Sequence, residues 1–158
     1  MLRPYALGIV SLRPLTESNR QAVEALRVAP EQQRFVSTVA DSLREATEHP
    51  GAHAIIRAIY ADETPVGFVM MADEVEGPDY HPHYLWKFLI DERHQRQGLG
   101  TAALDLIVEF FRERPGAEIL TTSAVPGDGS PIEFYERYGF ERTGEVSHGE
   151  VVLQLRLT

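Results

Sequence analysis

Gln95-Arg96-Gln97-Gly98-Leu99-Gly100 sets two glycines around one leucine where a strand-like apolar run has ended and a helix-like one begins. Upstream, Tyr84-Leu85-Trp86-Lys87-Phe88-Leu89-Ile90 is apolar on both faces except at Lys87, the pattern of a buried central strand. Downstream, residues 98–112 place Leu99, Ala103, Leu104, Ile107, Val108 and Phe111 on one stripe, the period of a helix packed on a sheet. Glycine admits positive φ and lets a ligand approach the backbone. The first amides of a helix have no internal partners, and the dipole adds roughly half a positive charge there. The junction is therefore suited to an anion such as a pyrophosphate, with Arg93 and Arg96 adding charge. A tight strand-to-helix turn would need the same glycines. The run lacks the Gly-Lys-Ser/Thr ending of an NTPase loop and the third glycine of a dinucleotide fingerprint.

The flanking sequence reads as one unit with no internal repeat or linker. Residues 9–13 form a short strand, and Thr16-Glu17-Ser18-Asn19 offers caps for a helix carrying Ala22, Val23 and Leu26 on one face. A second helix starts at Ser37 with Val39, Leu43 and Ala46 at helical spacing and stops at Pro50-Gly51. Residues 54–60 and 66–71 are strands joined through Asp62-Glu63-Thr64-Pro65 as a hairpin. After the central strand and its helix, residues 118–124 return as a strand. Ser130-Pro131-Ile132-Glu133 then matches a capping box, with Ser130 at the cap and Glu133 reaching back. Gly139 stops that helix, and residues 140–146 and 151–157 make a closing hairpin turned at Ser147-His148-Gly149. The expected fold is an α/β (α+β) single domain over residues 1–158, a mixed seven-stranded sheet with about four helices on both faces.

The 158 residues, 43% hydrophobic and 25% charged, suffice for one core. A formal charge of -9 argues against nucleic acid, which requires a basic face. No apolar stretch is long enough for a membrane helix and the start lacks a signal-peptide core, so a cytoplasmic location is expected. With no cysteine, neither a disulfide nor a thiolate nucleophile is available. Asp79, His81 and His83 cluster in sequence, but Pro82 separates the histidines and no third strong ligand is evident, so no metal is expected.

Residues Phe88-Leu89-Ile90-Asp91-Glu92-Arg93-His94-Gln95-Arg96-Gln97-Gly98-Leu99-Gly100 resemble the acetyl-CoA motif of the GNAT acetyltransferase superfamily, whose core reads Gln/Arg-x-x-Gly-x-Gly/Ala. Phe134-Tyr135-Glu136-Arg137-Tyr138-Gly139-Phe140 is similar to that family's second signature, a Tyr followed by Gly-Phe at the end of a short helix. Residues 90–100 and the Gly144-Glu145 pair are loosely similar to the diamine and polyamine acetyltransferase branch.

The resemblance implies an acetyl-CoA-dependent N-acetyltransferase acting by direct attack of an amine in a ternary complex. It implies that acetyl-CoA lies against Phe88, Leu89 and Ile90, with Gln95, Arg96, Gln97, Gly98, Leu99, Gly100, Thr101, Ser130 and Phe134 completing the coenzyme site. The Leu89 or Ile90 amide would stabilise the oxyanion, and Tyr135 would protonate the departing thiolate. A phenol, with a reference pKa near 10, holds its proton until then. Relatives carry a glutamate at the position of Tyr84 or an acid at that of Trp86; this chain has neither, leaving Glu74, Glu76, His83 or Glu145 to take the amine's proton through water. Where the family often has an Asn touching the coenzyme, Asp128 stands, so Ser130 or backbone groups would serve instead. The acceptor expected is a primary amine of a small molecule, a polyamine-like cation foremost. A protein N-terminus or lysine, or a non-catalytic acyl-CoA-binding role, are the alternatives. Homodimers are common in this fold, though nothing in the sequence specifies an interface.

Overall fold

A computed structural model describes residues 8–73 and 81–158. Seven strands form one sheet in the order β1-β2-β3-β4-β5-β7-β6. β1 (Val10–Pro14) pairs antiparallel with β2 (Ala54–Ala61), which continues to β3 (Thr64–Asp73) and β4 (His83–Ile90). β4 meets β5 (Ile119–Ala124) in parallel, and β5 then pairs with β7 (Glu150–Arg156) and β7 with β6 (Glu141–Ser147), both antiparallel. The β2–β3 turn is tighter than expected, just Asp62-Glu63, with Asp62 at φ +53°. His148-Gly149 turns the last hairpin with φ of +51° and +80°, the doubly left-handed backbone that suits the twist of two joined strands.

Side chains alternate along the strands and so feed two cores. Val69 and Met71 of β3 go to one face with Leu104, Ile107 and Phe111 of α3 (Leu99–Arg112). Phe68 and Met70 go to the other, under Val23 of α1 (Arg20–Glu24) and Val39 of α2 (Val39–Glu48). The α3 stripe is buried residue for residue as its period requires. α1 is shorter than expected: Ala22 is exposed, and Leu26 packs from beyond the helix end. Among the described residues no helix is long and apolar enough to cross a membrane.

Two elements depart from the sequence reading. Met70 faces Lys87 whereas Met71 faces Leu85, so Trp86 is an extra residue, a bulge in the central strand. The bulge sets Lys87 toward α2, where its ammonium meets Glu45 at 3.0 Å and Ser37 at 3.1 Å. The capping box also fails: α4 (Ile132–Tyr138) begins after Pro131, one residue later than expected, so Glu133 is not at the third helical position. Its exposed carboxylate faces Arg137 at 4.0 Å instead. Ser130 lies one residue before the cap position, donating to the Val125 carbonyl at 2.7 Å and accepting from the Ile132 amide at 3.3 Å.

Candidate active site

β4 and β5 pair at Tyr84 with Thr121 and at Leu85 with Thr122, then part. The bulge at Trp86 bends β4 away at that point, since an extra residue kinks the strand that holds it. The Thr122 hydroxyl closes the paired section by donating to the Leu85 carbonyl at 2.9 Å. Beyond it, one bond fixes which way the β4 amides point: Asp91 N–H donates to the Val66 carbonyl at 2.8 Å. Hydrogen-bonded pairs alternate along an antiparallel ladder. Leu89, opposite Phe68, therefore turns its amide to β3, while the amides of Phe88 and Ile90 point into the wedge beside β5. Of the two oxyanion donors expected, Ile90 has the fitting direction and Leu89 does not.

The wedge opens on a cleft of about 850 Å³. Phe88, Leu89, Ile90, Gln95, Arg96, Gly98, Gly100, Thr101, Ser130, Phe134 and Tyr135 all line it. Two expected members do not. Leu99 is buried in the core because it belongs to the α3 stripe, and Gln97 lies outside the lining. Arg93 is a further correction, since its guanidinium bonds Asp91 at 2.8 Å rather than facing the cleft.

The glycine run is shaped by left-handed backbone at Arg96 (φ +62°) and Gly98 (φ +81°). The first α3 bond runs from the Ala102 amide to the Gly98 carbonyl at 3.1 Å, which leaves the amides of residues 98–101 outside the helix's own bonding. Gln95 holds the loop in place: its side-chain amide donates to the Ile90 carbonyl at 2.8 Å and to Gln32 Oε1 at 2.9 Å. Gly100 packs against the Phe134 ring, so that a Cβ there would lie 3.5 Å from it.

The two tyrosines of α4 differ in what holds them. Tyr138 donates to Asp105 Oδ1 at 2.7 Å, a bond from α4 to α3. Tyr135 is buried, with an edge contact to Phe134 and a tilted one to Phe140, yet lines the cleft. Burial pushes its phenol well above the usual range, against the opposing pull of the Thr122 hydroxyl. It is thus a neutral acid facing the wedge.

A second cavity of about 290 Å³ lies across the wedge, between residues 33–37 and the ends of β4 and β5. It shares Phe35, Val36, Phe88, Pro131 and Tyr135 with the cleft, and adds Lys87, Ser123 and Glu150. Arg34, stacked over Phe35 at 4.2 Å, reaches the Asp128 carbonyl at 3.3 Å. That contact carries the segment before α2 across to the β5–α4 loop. Asp128 itself forms part of the cleft wall.

The expected proton acceptors lie elsewhere. His83 is buried, with Nδ1 at 3.0 Å from Asp73, itself paired with Arg114. Exposed Glu145 meets His81 at 3.5 Å, and neither it nor His83 lines either cavity. The two histidines of the sequence cluster therefore have separate partners. Glu74, Glu76 and Asp79 lie outside the described residues. Glu150, which does line the second cavity, escaped the sequence reading because it sits just after a hairpin turn, far along the chain from either motif.

A strand pair parted over a glycine-led helix start, beside a buried tyrosine, offers free backbone amides and a protonated phenol to one cleft. Matching with known families agrees: the description "Acetyltransferase (GNAT) family" covers residues 20–140. A spermine/spermidine N(1)-acetyltransferase of Bacillus subtilis (strain 168) is 26% identical over 148 residues, spanning 91% of this chain and 96% of the relative. Among solved structures, the aminoglycoside acetyltransferase AAC(6')-Ib in complex with coenzyme A superposes with a TM-score of 0.73 at 18% identity, covering 94% of this chain and 95% of its own. The ribosomal-protein-S18-alanine N-acetyltransferase from Escherichia coli gives a TM-score of 0.65 at 16% identity, covering 95% of each chain. The chain belongs to the GNAT family and is an acetyl-CoA-dependent N-acetyltransferase acting on amines.

Proposed function

We propose that this enzyme moves the acetyl group of acetyl-CoA to a primary amine of a small molecule, with diamines and polyamines the favoured class. The observation that carries the reading is the pair of cavities meeting at Phe88 and Tyr135, one for the donor and one for the acceptor. The pyrophosphate rests on the free amides of residues 98–101, which offer charge-assisted hydrogen bonds. Arg96, Thr101 and Ser130 flank it on the cleft walls. The pantetheine arm follows the amides of Phe88 and Ile90 into the wedge, bringing the thioester carbonyl to the Ile90 amide. As the amine attacks, that amide stabilises the oxyanion. Tyr135 then protonates the thiolate as the carbon–sulfur bond breaks.

The cationic acceptor is supported by the polyamine enzyme among the relatives and by the acidic balance of the chain. A purely coenzyme-binding role leaves the buried Tyr135 without a task. Thiol release from acetyl-CoA, measured across diamines, polyamines, monoamines and peptide N-termini, tests the reading. Turnover fastest with diamines or polyamines is expected; release with peptides alone would overturn it.

A further inference from the structure

Glu150 stands at the end of a directed hydrogen-bond chain. The Tyr84 hydroxyl donates to Ser123 Oγ at 2.5 Å, and Ser123 donates its one proton to Glu150 Oε1 at 2.9 Å. The chain crosses β4, β5 and β7, so three strands fix where the carboxylate sits. Ser123 and Glu150 both line the second cavity, which Tyr135 also borders. The described residues give Oε2 no hydrogen-bond partner. The other charges of that cavity are committed: Lys87 to Glu45, and Arg34 to the Asp128 carbonyl. Burial raises the Tyr84 phenol above its usual range, and the carboxylates of Glu150 and Glu145 add to the effect against the Ser123 bond. Tyr84 is therefore held as a donor.

We propose that Glu150 is the general base: it receives the acceptor's ammonium in the second cavity and takes its proton. This rests on the acetyl-transfer reading above. One proton passes from the ammonium to the Glu150 carboxylate, and the freed nitrogen lone pair forms the C–N bond to the thioester carbon. Collapse breaks the C–S bond, the thiolate takes the Tyr135 proton, and the phenolate recovers a proton from the acetylated nitrogen. Glu150 releases its proton to solvent, so the cycle yields amide, free thiol and one proton. Ser123 and Tyr84 are positioning residues, acting through Glu150. The titratable and charged groups around this carboxylate are Tyr84, reached through Ser123, and Lys87, Arg34 and Tyr135 on the walls of the same cavity, while Glu145 acts on Tyr84 and pairs with His81.

The test is Glu150→Gln assayed with two acceptors, a diamine that is charged at neutral pH and hydroxylamine, which is not. Coenzyme binding is followed in parallel by calorimetry. Loss of a general base predicts a fall of at least about a hundredfold in kcat/KM for the diamine at neutral pH. It also predicts a rate rising about tenfold per pH unit as the free amine appears, a near-unchanged rate with hydroxylamine, and unaltered coenzyme binding. Equal losses with both acceptors, or an unchanged pH profile with the diamine, would overturn the assignment while leaving acetyl transfer intact. Failure of the wild-type enzyme to acetylate any amine would overturn both.

Discussion

The Gln95 side-chain amide donates to the Ile90 carbonyl at 2.8 Å, tying the glycine run back to the strand end it has just left. The same amide group reaches Gln32, whose Oε1 also accepts from the Ala29 amide, so one side chain joins the strand, the loop and the segment after α1. Gln95→Ala should raise KM for acetyl-CoA about tenfold, the loss of roughly 1.4 kcal/mol of loop order, with kcat less affected. Steady-state kinetics with varied acetyl-CoA check it.

Tyr135 borders both cavities, whereas Tyr138 is engaged with Asp105. Tyr135→Phe keeps the ring and removes the proton. Turnover should fall at least about tenfold while coenzyme affinity holds within about twofold. Tyr138→Phe serves as the control and should cost little activity. Equal losses for the two variants would remove Tyr135 from the chemistry.

Gly67 lies in β3 where a Cβ would overlap the Leu89 carbonyl oxygen, a backbone atom that cannot swing away. Gly67→Ala should therefore destabilise the fold by about 2–3 kcal/mol and disturb the β4 end that carries the free amides. Chemical denaturation reads the first effect. A raised KM for acetyl-CoA in the surviving folded protein reads the second.

Asp91 supplies a pH dependence whose sign can be worked out. Burial works to raise its pKa, but the Arg93 guanidinium and the amides of Arg27 and Arg93 outweigh it, so the carboxyl titrates below its ordinary range. With the folded value below the unfolded one, its stabilising contribution is present above the unfolded pKa of roughly 3.9 and is lost as pH falls through the folded value. Asp91→Asn should lower Tm at neutral pH by about 4–8 °C and flatten the acid side of the stability curve. Thermal melts of both proteins between neutral pH and acid measure it.

What the sequence disclosed depended on the range of the forces involved. The buried face of α3 and the stop at Gly139 are written in spacing and in backbone preference, both local, and they stand in the fold as read. Which β4 amides face the wedge needed the β3–β4 register, which no single strand contains; the Asp91 to Val66 bond turns the Ile90 amide toward it and the Leu89 amide away. The bulge at Trp86 is likewise a property of a strand pair. Glu150 reads as an ordinary polar residue beside a hairpin turn until folding brings Ser123 and Tyr84 to it. Glu133 misled because its spacing suits a cap whose helix begins one residue later.

The sheet is two half-sheets, β1 to β4 and β5 to β6, stapled at Tyr84 and Leu85 and gaping beyond. A molecule seated in the gap becomes a structural member, replacing rungs that the ladder lacks. On the proposed reading, each catalytic cycle mends and reopens the same seam.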